Sequence, residues 1–386
     1  MRLIWIIGIP KIAQLPLNIV KGRDANMHVS WYKYARLLGL FALTFTLQTS
    51  AQQFKTFDAP GAGTAPGTGT FPVGINAQGT VTGVVNDGQG YGDYQGSYHG
   101  FVLGADSKLI TFDVPDAFPG WTVPTAINDL GEIVGFFANI SNCAAVDIQP
   151  VAFCYHGFLR KPNGTFTVFD APADTPPGYS DYMGIVPQSI NNFGVITGWY
   201  YMRFNATELG FYLTPNGRFT VLGGEAYEPN SINDFGVIVG TTSSSPFDPP
   251  FQGFITTRTG MLTFQVPGGM AYDDKSNDFG GGNVFINDFG VVAGNSMTGA
   301  GFLRAPDGKI TFFPGFFVAG LNIFANTTGA FDGHAVIRYS NGKLIVLNMP
   351  VAEKYSEGTG INARDVVTGS WEDSAGVSHG FIWKNR

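Results

Sequence analysis

Residues 125–172 read TAINDLGEIVGFFANISNCAAVDIQPVAFCYHGFLRKPNGTFTVFDAP, and this stretch decides the fold. Two short apolar runs, 125–128 and 132–137, meet at Asn128-Asp129-Leu130-Gly131. Asn first and Gly fourth suit a type I turn whose last residue is left-handed and makes a bulge. The Asn side chain can also bond its own backbone two residues on. A second pair of runs, 155–161 and 165–170, meets at Pro162-Asn163-Gly164. There Pro presets φ, and Gly takes the positive φ that closes the hairpin. The stretch is therefore predicted as a four-stranded antiparallel meander, strands a to d.

The unit recurs along the chain, and a repeat of this size determines the architecture. Its first half, close to I-N-x-x-G-x-[IV]-x-G, occurs at Ile75-Asn76, Ile127-Asn128, Ile190-Asn191, Ile232-Asn233, Ile286-Asn287 and Ile361-Asn362, with a worn copy at Leu321-Asn322. Its second half, H-G-F-[LVI] then T-x-F-x-x-P, occurs as YHGFVLGADSKLITFDVP from Tyr98 and in later variants. A Gly ends strand b (Gly83, Gly135, Gly198, Gly240, Gly294 and Gly369), where close backbone approach to a neighbour is expected.

Four-stranded meanders at intervals of about 35–63 residues suit a β-propeller. The last unit stops at Phe381-Ile382-Trp383-Lys384, without its final strand, and residues 54–60 (FKTFDAP) supply it. The expected fold is an all-β, seven-bladed β-propeller of four-stranded antiparallel blades. Its N-terminal strand completes the C-terminal blade and leaves no open edge. Residues 321–350 are the weak point, because LNIFANTTGAFDG lacks the regular turn; without that blade the ring has six.

Composition agrees. An apolar fraction of 44% suffices for a core, while 13% charge with 53 Gly and 34 Phe favours strands and turns over helices. A net charge of −7 with no basic stripe excludes a nucleic-acid partner. Residues 27–51 (MHVSWYKYARLLGLFALTFTLQTSA) have the order of a secretory signal peptide: Lys33 and Arg36, an apolar run from Leu37 to Leu47, then Thr49-Ser50-Ala51. The run is shorter than the ~20 residues of a spanning helix. The expected organisation is a misassigned extension at 1–26, a signal peptide at 27–51 and one propeller domain at 52–386. The mature protein is then secreted, periplasmic or at the cell surface, and does not span the membrane. In that oxidising setting Cys143 and Cys154 are expected to form a disulfide, worth about 3 kcal/mol by loop closure.

Antiparallel order places the a–b and c–d turns on one face and the b–c and d–a loops on the other. The second class is long: 85–98, 138–154 and 241–251 between b and c, and 61–73, 115–124, 173–187 and 268–284 between d and a. Variable loops on a rigid scaffold carry binding. Their aromatic and acidic residues Tyr91, Asp93, Tyr94, Trp121, Asp181, Tyr182, Tyr272 and Asp273 are the candidate ligand-binding set. Asp273, Asp274 and Asp278 are candidate calcium ligands, although no D-x-[DN]-x-[DN]-G loop is present; no other cofactor is expected.

His99, His156, His334 and His379 hold one repeat position, so symmetry disperses them; each is expected to bond a neighbouring blade's backbone. Glu225 and Glu228 are read as solvated loop carboxylates. No G-x-S-x-G, H-E-x-x-H, Walker loop or sialidase box occurs, so no catalytic residue is assigned. The functional reading is non-enzymatic recognition of a glycan or protein through the long-loop face. Two alternatives stay open: a polysaccharide hydrolase or lyase using that face or the central channel, and a structural envelope or matrix module.

The H-G-F-[LV]-x-x-x-x-G-x-[IL]-x-x-F-D-x-P pattern with its I-N-x-x-G-x-[IV]-x-G partner resembles the HAF-family extracellular repeat of bacterial exported proteins. The resemblance spans residues 54–386. It implies a bacterial, exported, propeller-like protein and no particular reaction or ligand.

Overall fold

The computed structural model describes residues 53–89, 97–118, 120–139, 154–172, 182–202, 207–223, 227–242, 251–271, 284–349 and 353–385. Among them all regular structure is β-strand. β1 (Gln53–Phe57) comes first, followed by unit 1: β2 (Gly69–Ile75), β3 (Val81–Asn86), β4 (Tyr98–Leu103) and β5 (Leu109–Phe112). Unit 2 is β6 (Thr122–Ile127), β7 (Ile133–Asn139), β8 (Cys154–Arg160) and β9 (Phe166–Phe169). Unit 3 is β10 (Tyr182–Ile190), β11 (Ile196–Met202), β12 (Thr207–Leu213) and β13 (Phe219–Leu222). Unit 4 is β14 (Tyr227–Ile232), β15 (Ile238–Thr242), β16 (Gln252–Thr257) and β17 (Gly260–Phe264). Unit 5 is β18 (Val284–Ile286), β19 (Val292–Asn295), β20 (Ala300–Arg304) and β21 (Ile310–Pro314). Unit 6 is β22 (Phe316–Leu321), β23 (Thr327–Phe331), β24 (His334–Arg338) and β25 (Leu344–Val346). Unit 7 is β26 (Tyr355–Ile361), β27 (Val367–Glu372) and β28 (Ser378–Lys384).

Within each unit consecutive strands pair antiparallel. β1 is the fourth strand of unit 7, in register from Gln53↔Lys384 to Phe57↔Gly380. Unit 6 is a complete meander, so the segment weakest in sequence carries all four strands. Its turn is regular as well. Ala325 adopts φ +59, the left-handed position that Gly131 fills at φ +76 in unit 2. The motif is masked in sequence because a non-Gly residue holds that conformation.

The repeat's residues have identifiable tasks. Asn128 Oδ1 accepts from the backbone N–H groups of Leu130 and Glu132, closing the a–b turn. Its Nδ2 donates to the Asn191 carbonyl of unit 3. The corresponding bonds, at 3.0–3.2 Å, run from Asn76 to Asn128, Asn191 to Asn233, Asn233 to Asn287, Asn287 to Asn322, and Asn322 to Asn362. Asn362 then donates to the Asn76 carbonyl, so the series returns to its start. All seven side chains are buried, where an unmade bond costs most.

Gly83 of β3 is required by two neighbours. A Cβ there would lie 2.2 Å from the Phe71 carbonyl of β2 and 2.7 Å from the Phe101 ring of β4. The close neighbour is thus the unit's own first strand, and the same holds at Gly135, Gly198, Gly240 and Gly369. The H-G-F phenylalanines Phe101, Phe158, Phe211, Phe254, Phe302 and Phe381 are fully buried, and Val336 takes that place in unit 6. The core lies between adjacent units: one cluster joins Val239 and Phe264 to Val284 and Phe302, another joins Ile337 to Trp371 and Trp383. Adjacent units also touch by isolated parallel pairs, Gly69↔Ser378 and Gly184↔Tyr155.

Candidate functional site

The first strands of all seven units line one cavity of about 660 Å³. Where the Gly of the second strand draws the first strand's carbonyl close, the first strand carries a β-bulge and one residue is skipped in the pairing. Skipped residues are Val73, Thr125, Gln188, Asn230, Ala319 and Thr359. All six line the cavity. A bulge re-aims a side chain, and here it does so at one level of six of the seven first strands.

Gln188 and Asn230 are each 8% exposed, and their side-chain oxygens Oε1 and Oδ1 have no hydrogen-bond partner. At the end of the cavity where the d–a connections enter, Tyr355 and Glu357 of β26 join Phe71 and Phe317 in the wall. The Tyr355 hydroxyl donates to Glu357 Oε2 at 3.1 Å. Burial pushes the Glu357 carboxyl above its ordinary range, against the opposing effect of that hydrogen bond. Burial likewise raises the Tyr355 phenol, reinforced by the Glu357 charge. No Lys, Arg or His lines the cavity among the described residues. Lys354, in an adjoining hollow, is held by Glu372 at 2.5 Å.

Few of the candidate ligand-binding residues fall within the described parts. Tyr91, Asp93, Tyr94, Asp181, Tyr272 and Asp273 lie outside the described residues, as do Asp274, Asp278 and Cys143. Tyr182 opens β10 opposite Met202, and Cys154 opens β8 opposite Asn139; only their backbones are described. Trp121, expected on an exposed loop, is 7% exposed instead. It bridges to Tyr98 across the seam between units 1 and 2, with the two rings 5.7 Å apart and perpendicular. It fills the position held by Gly69 and Gly184 at two other seams, and packs rather than presenting a platform. Glu228 is not a solvated loop carboxylate either: it lies in β14, 6% exposed, with Thr241 Oγ1 3.5 Å from Oε2. Glu225 lies outside the described residues.

The histidines do not bond a neighbouring unit's backbone. Their Nδ1 atoms pair with carboxylates, at the end of the unit's fourth strand for His99 with Asp113 at 2.9 Å and His156 with Asp170 at 2.7 Å. His334 pairs with Glu353, and His379 with Asp58, each at 2.7 Å. The Asp of the F-D-x-P motif is thereby explained. The bond from Asp113 raises the His99 pKa above its ordinary 6.5, despite burial. A raised folded-state pKa stabilises the fold fully below 6.5, and that contribution is lost as pH rises through the folded value. Asp113→Asn is therefore expected to lower the His99 pKa in an NMR titration. It should also cost more stability at about pH 5.5 than at about pH 8.5. An unshifted His99 titration would remove this account.

The positions lining the cavity are absent from the candidate set, although the sequence carries a sign of them. Three residues before each turn Asn, at one position of the repeat, the chain reads Val73, Thr125, Gln188, Asn230, Val284, Ala319 and Thr359. On the opposite face, the turn tips of units 2 to 6 hold Leu130, Phe193, Phe235, Phe289 and Phe324, which are 59–77% exposed and so repeat without packing. Among the described residues, no three acidic, imidazole or thiol groups cluster as metal ligands, and no helix is long and apolar enough to cross a membrane.

No protein-family profile matches the chain, and no curated protein does. Solved structures with related folds are found. A catalytically inactive virginiamycin B lyase from Staphylococcus aureus, solved with quinupristin, is 12% identical with a TM-score of 0.51, over 86% of this chain and 99% of that one. A streptogramin B lyase structure is also 12% identical, with a TM-score of 0.52, over 86% of this chain and 97% of that one. At such identity the likeness concerns the fold alone, which is all-β and β-propeller-like.

Proposed function

We propose that this chain is an exported, non-enzymatic binding protein of the HAF-repeat type. In this reading seven blades close into a ring, and a glycan enters the central cavity from the long-loop face. The turn-Asn bonds that return to Asn76, and the pairing of β1 with β28, support closure. The signal-like order of residues 27–51 supports export, and with it the Cys143–Cys154 disulfide.

One observation carries the binding role: Gln188 and Asn230 are buried at the cavity wall with side-chain oxygens left unpartnered. Such groups cost stability unless something supplies donors to them. Polar groups between aromatic walls in a cavity of this size suit one end of a saccharide. Hydrolysis of a glycosidic bond ordinarily uses two carboxyl groups, about 5–9.5 Å apart. Glu357 is the sole carboxyl lining the cavity among the described residues, which favours binding over hydrolysis.

A glycan panel probed with the purified chain tests the reading. Binding should be lost in the double variant Gln188→Leu, Asn230→Leu, and kept in Phe235→Ala on the turn face. A blank panel, or equal losses from both changes, would reject it.

A further inference from the structure

The chemistry of the cavity wall narrows the ligand beyond a glycan in general; this step rests on the binding role just proposed. Seven first strands in cyclic order set unit 7 opposite the boundary between units 3 and 4. Glu357 and Tyr355 therefore face the wall that carries Gln188 and Asn230. Thr359 is the residue of unit 7 level with those two amides. Glu357 stands two residues nearer the long-loop entrance, about 7 Å higher at the rise of a strand.

Each feature of this wall calls for hydrogen-bond donors or positive charge. The carboxyl has no basic side chain beside it in the cavity among the described residues, and it accepts a hydrogen bond from the neutral Tyr355 phenol. A partly buried carboxyl is disfavoured as an anion, in keeping with its upward shift, and a cation brought beside it reverses that effect. The two amide oxygens opposite are acceptors without donors. Phe71 and Phe317 share the wall with Tyr355 at the upper level, and aromatic faces attract cations held close to them.

We infer that the cavity binds a small hydroxylated organic cation of the amino-sugar class, with its protonated amine against Glu357 and Tyr355 and its hydroxyl groups directed to Gln188 and Asn230. The carboxylate and phenol oxygens accept from the ammonium, while the amide oxygens accept from hydroxyl protons. A neutral sugar satisfies the amides but leaves the carboxyl uncompensated. A uronic acid adds a second negative charge beside the first.

Titration calorimetry of the full chain with glucosamine, glucose and glucuronate tests this. Glucosamine should saturate the protein and bind at least about tenfold more tightly than glucose, the scale of one charge-assisted bond. Glucuronate should not bind. Glu357→Gln should weaken glucosamine by about tenfold or more and bring it level with glucose. If Glu357→Gln does not fold, Gln188→Leu on the opposite wall should weaken glucosamine by about fivefold or more. Equal affinity for glucose and glucosamine, or no effect of either substitution, would overturn the cation assignment while leaving a glycan site in place. Failure of glucosamine to saturate, alongside a positive glycan panel, would also overturn the assignment. A blank panel would instead overturn the binding role itself.

Discussion

A chain lacking residues 53–60 is expected to lose its cooperative thermal transition, or to melt at least about 10 °C below the intact protein. Those residues supply the fourth strand of unit 7, paired along its length with β28. Phe54 packs 6.0 Å from Phe381, and Phe57 sits edge-on to Phe101 at 5.8 Å while covering the backbone of Gly380. Asp58 holds His379, and Ala59 is buried against unit 1. Two partly buried phenylalanines are worth at most about 3–6 kcal/mol in transfer free energy. That loss compares with the whole stability of an ordinary domain, about 5–15 kcal/mol, and it also bares β28 as an edge. Calorimetry of the two chains decides the point. A shift of less than about 3 °C would mean that β1 does not hold units 7 and 1 together.

Asn233→Asp is expected to destabilise the protein by about 2–4 kcal/mol near neutral pH. The wild-type side chain is buried and fully engaged: Oδ1 accepts from Phe235 and Val237, and Nδ2 donates to the Asn287 carbonyl. The aspartate keeps the accepting oxygen but turns a second one towards that carbonyl, so two acceptors face each other out of water. Protonation restores a donor, so the folded state raises the pKa of the new carboxyl. The deficit should accordingly be largest above the folded pKa and shrink as pH falls through it. Asn216→Asp, in an exposed c–d turn, should stay within about 0.5 kcal/mol of wild type. Denaturant melts of both variants across pH measure this, and equal costs at the two sites would refute it.

These two sites show what was legible in the sequence. The repeat could be read because each of its residues does a backbone task within a few positions of itself: Asn closes a turn, Gly admits a bulge, and Pro-Asn-Gly closes a hairpin. Four-stranded units and the split of one unit between the two ends followed from that. The His–carboxylate pairs were less visible, since the partner lies across a hairpin. Yet the constant separation of 14 residues in His99–Asp113 and His156–Asp170 was a usable sign.

Trp121 was misread because an aromatic in a Gly/Pro-rich loop looks exposed. Its burial depends on Tyr98 and Tyr155, which belong to other strands. The cavity was missed for another reason. Assigning recurrent residues to architecture directs attention to the loops, whereas Gln188 and Asn230 occupy a repeated position and differ only in side chain. The proposed site differs from the other units only in which side chains stand at that repeated position.

The joining of β1 to β28 also bears on the order of events in time. Thr56 is made long before its partner Phe381, so no growing chain can form that pair before β28 has been synthesised. Until then β1 has an apolar face and an unsatisfied backbone, a state that favours aggregation or holding by a chaperone. A chain that stops short of β28, by premature termination or proteolysis, never leaves that state. The seam is in this sense a check on synthesis: lasting order is reached only by molecules that extend through β28.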